Sequence, residues 1–420
     1  VTLQDGLKVV TSSGYGMRIA LAREAAAVKG ERIAGAGLKP RVNAYADQTW
    51  LQYRPEAVFG GGTSPLGDDK FLRYGFTVKQ LITDFGRTGS GVEAARAETR
   101  ARKEETSRTR NQTVLDFVTS YVSLLQTEKS VKLAGLKVQR FESHVSDARA
   151  LYEAGEVTLN DVLAAEVVLA DARQKLITAA DDRKLAVSRL NYLMLRPLDA
   201  DTTVVDYPYM LDPIPALAEI SAWSGSARPE LGILDEQIKT RKALLSSNKA
   251  QRFPSLFVSG GYEFEENPYR VHEDNWSATV GITWDLYTGG GTTAAQKQIE
   301  DELSALVIQR EQLKELISLE IRDSHRLLLG AHERTLVAIK ALTLAEESLR
   351  LQRSRYTEGE ATATDVTDAV TSLAEAENNH WSAVYGRLEA EARVLYAAGR
   401  NLEEIYSNSR VSEASTPFSR

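Results

Sequence analysis

The sequence predicts a mixed fold of alternating β-strands, four to the chain, and α-helices far longer than a globular core requires. Two halves repeat the same plan. Three observations carry this. Residues 149–165 shifted by 204 positions fall on 353–369, and eight of the seventeen positions are identical. Two long tracts, from Thr88 to Glu153 and from Gly291 to about Tyr356, hold no helix breaker except isolated glycines. Four segments of about ten residues alternate apolar with small or polar side chains, the period of a strand. A repeat of this length is a duplicated half-protein, because solenoid units repeat every 20–50 residues.

Residues 1–38 read as helix, with Met17, Ile19, Leu21 and Ala25–Ala27 in helix-favouring company, and Pro40 ends it. Residues 41–53 change to strand-forming types, among them Val42, Tyr45, Trp50 and Tyr53. A Gly- and Pro-rich loop spans Arg54 to Lys70. In 71–81, Leu72, Tyr74, Phe76 and Val78 share one face, and Arg73, Gly75, Thr77 and Lys79 the other. After Asp84-Phe85-Gly86 the first long helix begins. Its stripe of Val114, Phe117, Val118, Tyr121, Leu124 and Leu125 has helical spacing. At 1.5 Å per residue it is about 95 Å long, which calls for coiled-coil partners. Gly155 stops it, and a second helix runs from Thr158 to about Leu195.

The second half repeats this order: helix 228–250, strands 255–264 and 276–286, a long helix to about Tyr356, a turn at Gly359 and a last helix over 363–398. Residues 197–227, with four prolines, and the Ser-rich tail from 401 stand outside the repeat. The tail is expected to end disordered.

Length alone suggests two or three domains. The net charge of −7 is mild and gives no basic footprint for nucleic acid. The absence of cysteine excludes disulfides, thiolate metal sites and Cys nucleophiles. No run of about 18 apolar residues occurs, so no membrane-spanning helix is expected. Val1 in place of Met reads as a mature N-terminus or a trimmed chain. His144, His272, His325, His332 and His380 show no metal-ligand spacing, and surface or packing roles are expected of them. The triple glycines (Gly60–Gly62, Gly289–Gly291) lack the Lys-Ser/Thr of a phosphate loop. With no catalytic constellation, the expectation is no enzyme, no cofactor and no metal.

The strands have the length of tilted membrane-spanning strands. Trp276 and Trp284 are about 27 Å apart along a strand, the separation of two aromatic girdles once tilted. The apolar faces of 71–81 and 276–286 carry no charge. Four strands cannot close a barrel alone, so closure in lipid needs several chains. The competing reading is a soluble coiled-coil periplasmic adaptor or scaffold whose strands form a small sheet domain.

Over residues 3–400 the chain resembles the TolC family of outer-membrane efflux and secretion proteins. The resemblance rests on the strand exits (Gln80 to Arg87, Trp284 to Gly290), the turn motifs (Tyr152 to Val162, Tyr356 to Val366) and the duplicated strand-strand-helix-helix order. It implies a homotrimer with a twelve-stranded barrel in the Gram-negative outer membrane, formed by 40–86 and 253–289. It implies a periplasmic helical tunnel of 1–39, 87–196, 228–252 and 290–398, with an equatorial region and tail at 197–227 and 399–420. The partners implied are a periplasmic adaptor and an inner-membrane transporter of RND, ABC or MFS type, in a tripartite efflux pump or type I secretion system.

The turns have a structural reading first. Thr158 to Asp161 and Thr362 to Asp365 fit a capping box, and Gly155 and Gly359 fit left-handed helix ends. Asp368 corresponds to Ala164 in the first half, so the architecture does not require it. The resemblance makes Asp365 and Asp368 the periplasmic gate and selectivity rings, where carboxylates attract cations. It makes Tyr356 the gating tyrosine, with Asp161 as its acceptor. Ala361 stands where the family prototype has a gating arginine, so the second link is absent or falls to a residue such as Arg353 or Arg355. The adaptor is expected to meet Gly155, Glu156, Gly359 and Glu360.

Overall fold

The computed structural model describes residues 1–207, 213–223 and 228–408. Two compact units emerge. One comprises Val1–Ala22, Glu105–Leu231 and Gln312–Arg420; the other comprises Arg23–Glu104 and Gly232–Glu311.

In chain order the elements are α1 (Leu3–Ser13), α2 (Tyr15–Ala36), β1 (Arg41–Trp50), β2 (Glu56–Phe59), β3 (Gly62–Pro65), β4 (Lys70–Thr83), α3 (Arg87–Glu153) and α4 (Leu159–Leu193). There follow α5 (Leu217–Trp223), α6 (Pro229–Ala250), β5 (Ser255–Glu265), β6 (Asp274–Thr283), α7 (Gly291–Thr357), α8 (Ala363–Ala397) and α9 (Leu402–Asn408). The duplication is kept residue for residue. α3 and α7 each have 67 residues and α4 and α8 each have 35, all displaced by 204.

Several details depart from the sequence reading. The strand read over 41–53 ends at Trp50, and the one read over 276–286 runs Asp274–Thr283, which leaves Trp284 and Leu286 beyond it. The first helix is broken at Gly14, whose extended ψ of 145° ends α1. The loop after β1 contains a small hairpin, β2 with β3. The start of the tail is helical: α9 seats Leu402 and Tyr406 in the core beside Leu388 and Leu395. The rest of the tail, expected to be disordered, lies outside the described residues, as do 208–212 and 224–227 of the equatorial region.

The sheet is antiparallel in the order β1-β4-β5-β6. Each half supplies one hairpin, and β4 against β5 joins them. Residues opposite one another share a face. The register aligns Val42 with Val78, Phe76 with Tyr262, Tyr262 with Trp276, and Val258 with Val280 on the apolar face. The other face carries Tyr45, Asp47, Arg73 and Glu263. There the Tyr45 hydroxyl donates to Glu263 at 2.6 Å and Arg73 pairs with Asp47 at 3.2 Å. Gly75 permits this close layering: a Cβ on it would lie 2.3 Å from the Tyr262 carbonyl oxygen. The apolar face is open, with Val280 76%, Trp276 69% and Val42 65% exposed. β1 and β6 are each paired along one edge only.

Among the described residues the helical unit holds three apolar clusters. The one that matters here joins both hairpins, α3–α4 and α7–α8, near their turns. It contains Phe141, Val145 and Ala148 of α3, Val162 and Leu169 of α4, Tyr356 of α7, and Val366 and Val370 of α8. Phe141 is wholly buried, a contribution of about 1.5–3 kcal/mol by transfer alone.

Candidate functional site: helix turns and strand face

Both turns end a long helix in the same way. Gly155 (φ 79°) and Gly359 (φ 76°) occupy the left-handed region that other residues adopt only at a cost. The N–H of Gly155 donates to Tyr152 O and that of Glu156 to Leu151 O; Gly359 and Glu360 repeat this with Tyr356 and Arg355. This crossed pair satisfies carbonyls the helix end would leave bare.

The next helix starts with a capping box in each half. The N–H of Thr158 donates to Asp161 Oδ2 at 2.8 Å, and its hydroxyl at 2.7 Å. Thr362 treats Asp365 identically, at 2.8 and 2.7 Å. These hydrogen bonds hold both carboxyls below the ordinary aspartate range; the Arg355 charge adds to the effect at Asp365. Asp365 and Asp368 are both exposed on α8. They lie three residues apart and so on one side of the helix.

The two halves differ at the tyrosine. Tyr152 is exposed, whereas its counterpart Tyr356 is 7% exposed. The Tyr356 ring meets the His144 ring edge-on at 5.8 Å. Its hydroxyl has no hydrogen-bond partner. The expected bond to Asp161 is therefore not formed within one chain, where that carboxylate is engaged by Thr158. Burial, then the charges of Asp147 and Asp161, raise the Tyr356 hydroxyl above its ordinary pKa.

His144 is the residue that sequence reasoning passed over. It is 2% exposed, and its Nε2 lies 3.2 Å from Thr367 Oγ1. The available signal was its place three residues after Phe141 and four before Ala148, on the apolar stripe of α3. Ion pairs also cross between helices. Arg140 grips Glu377 through two contacts of 2.7 and 2.8 Å, joining α3 to α8. Arg173 meets Glu142 at 2.8 Å, and Arg149 meets Glu166. The last two pairs border a groove of about 1060 Å³ between α3 and α4.

On the sheet, Trp276 packs on Tyr262 at 5.3 Å and edge-on to Phe76 at 5.8 Å. Trp284 lies just past the other end of β6, and its indole N–H donates to Arg252 O at 3.0 Å. A further aromatic pair, Phe85 and Phe253, stacks at 5.5 Å with both rings exposed. Phe85 has φ 56°, an unusual backbone for an aromatic residue. No helix among the described residues is long and apolar enough to cross a membrane.

The sequence pattern of outer membrane efflux proteins matches residues 16–194 and 226–400. The chain belongs to the outer membrane efflux protein family. Among curated proteins, this family member is 22% identical over 363 residues to the outer membrane efflux protein BepC of Brucella suis, covering 83% of this chain and 77% of BepC. The outer membrane protein VceC of Vibrio cholerae superposes with a TM-score of 0.82 at 19% identity, covering 95% of this chain and 96% of VceC. The open-state MtrE channel of Neisseria gonorrhoeae gives 0.79 at 20% identity, covering 95% and 89%. The efflux family is one of outer-membrane channels. Membership places the chain in the Gram-negative outer membrane with its helices in the periplasm. The soluble adaptor reading is set aside on this ground.

Proposed function

We propose that three copies of the chain form the exit duct of a tripartite efflux pump or a type I secretion system. The observation that carries this reading is the four-stranded sheet, apolar and exposed on one face and unpaired at β1 and β6. An apolar sheet with open edges is an aggregation hazard in water and is not viable in lipid. Pairing β6 of one copy with β1 of the next closes twelve strands with no edge left.

The helices support the same arrangement. Leu163, Val167 and Ile177 of α4 are exposed, as are Val337, Leu344 and Leu351 of α7, the last three at seven-residue intervals. Heptad spacing of apolar residues suits coiled-coil neighbours. In this assembly 1–39, 87–196, 228–252 and 290–398 form the tunnel, and 197–227 with 399–420 the equatorial region. Asp365 and Asp368 form two stacked carboxylate rings at the periplasmic constriction. Tyr356 and Asp161 lie beside it, Tyr356 acting through packing. Trp276 and Trp284 mark the two membrane interfaces. Gly155, Glu156, Gly359 and Glu360 meet a periplasmic adaptor, which couples the duct to an inner-membrane RND, ABC or MFS transporter.

The test is native mass spectrometry of detergent-extracted protein, followed by planar-bilayer recording. A trimer that conducts is expected. A water-soluble monomer, or a trimer that never conducts, would overturn the reading.

A further inference from the structure

We infer that His144 is a latch that ties the α3–α4 hairpin to the α7–α8 hairpin near their turns and releases them on protonation. The latch stands on contacts within one chain. Only its effect on conduction rests on the reading of the turns as a gate.

The geometry is that of a cross-link. His144 belongs to α3, yet its partners belong to the other hairpin: Thr367 Oγ1 of α8 at 3.2 Å, the Tyr356 ring of α7, and the backbone of Ala363. The repeat does not demand it, because the matching residue of the second half is Ser348, which is exposed. His144 thus supplies a tie from the opposite hairpin.

The charged groups that act on the imidazole are Asp147 of its own helix α3 and Arg353 of α7. Burial is the largest influence and lowers the affinity for a proton. Asp147 and the Ala363 backbone oppose it, and Arg353 adds to it. The joined hairpins thus favour the neutral ring. When they part, the ring meets water and returns to a pKa of about 6.5. The parted state therefore binds more protons below that pH. The latch is at full strength above about 6.5 and weakens as pH falls through the depressed value.

The chain has no cysteine, so spin labels at Glu156→Cys and Glu360→Cys are unique. One labelled copy assembled with unlabelled copies in detergent reports the separation of the two turns by pulsed electron resonance. The native sequence is expected to show a longer distance at about pH 5.5 than at about pH 8. His144→Gln, which keeps polarity without the titration, is expected to give one distance at both. The shift is expected to survive in Asp365→Asn with Asp368→Asn, which removes the carboxylates that also titrate in acid. Equal distances at both pH values in the native sequence would overturn the latch. So would a shift that persists in His144→Gln or vanishes with the aspartates. If His144→Gln fails to assemble, the native titration and the aspartate background decide. A distance change without a conductance change supports the latch and overturns the gate.

Discussion

Tyr356→Phe separates two accounts of how the turns are held. The hydroxyl is buried and lacks a partner. An unsatisfied buried polar group costs about 1–3 kcal/mol, so its removal should relieve about 1 kcal/mol of local strain. The ring itself, packed on His144, is unchanged. Local opening near the turns should then be about fivefold rarer, since 1 kcal/mol is a factor of about five. Amide hydrogen exchange reads this directly, over Ala148–Leu169 and Leu349–Val370 in the assembled protein. The competing account gives the hydroxyl a hydrogen bond to the Asp161 carboxylate. Losing a bond to a charged acceptor costs about 1.5–3 kcal/mol, which would make exchange about ten- to a hundredfold faster. Faster exchange in Tyr356→Phe would refute the packing account and restore the tyrosine to the role the resemblance gave it.

Asp365→Asn with Asp368→Asn should weaken cation selectivity in single-channel recording while keeping the α8 start, since an amide oxygen at 365 still accepts from Thr362; unchanged selectivity would remove both residues from the constriction. Trp276 should be quenched by lipids brominated near the headgroup more strongly than by lipids brominated at the chain end. Fluorescence with Trp284 and the other tryptophans replaced by Phe reads this. Equal quenching at all depths would refute an interfacial position.

Most of the fold was legible because its signals are long and repeated. Two 67-residue helices leave little room for error in their ends, and the turns are signed by glycine at the left-handed position and by a Thr-x-x-Asp box. The faces of β4, β5 and β6 followed from alternation; that of β1, where Val42 and Tyr45 lie on opposite faces, did not. What escaped depends on contacts distant in sequence. Gly14 looks like any isolated helical glycine until α1 and α2 part there. The hairpin Glu56–Pro65 hides in a loop composition. α9 is polar by sequence, and its order comes from seating Leu402 and Tyr406 in the core. Of the gate residues, the capping role of Asp161 and Asp365 could be read from spacing. The place of Tyr356 could not, because its twin Tyr152 has the same local sequence signals and lies exposed. Tyr356 packs against His144, more than 200 residues away, within the cluster that joins the two hairpins.

The equal lengths of α3 and α7 constrain how such a chain can change. One inserted residue turns everything beyond it by about 100° and advances it by 1.5 Å. An insertion in α7 alone would swing Tyr356 off the imidazole and carry Asp365 out of step with Asp161. Insertions and deletions in these helices are therefore tolerated only as matched whole heptads in both halves, and unmatched ones belong to the loops.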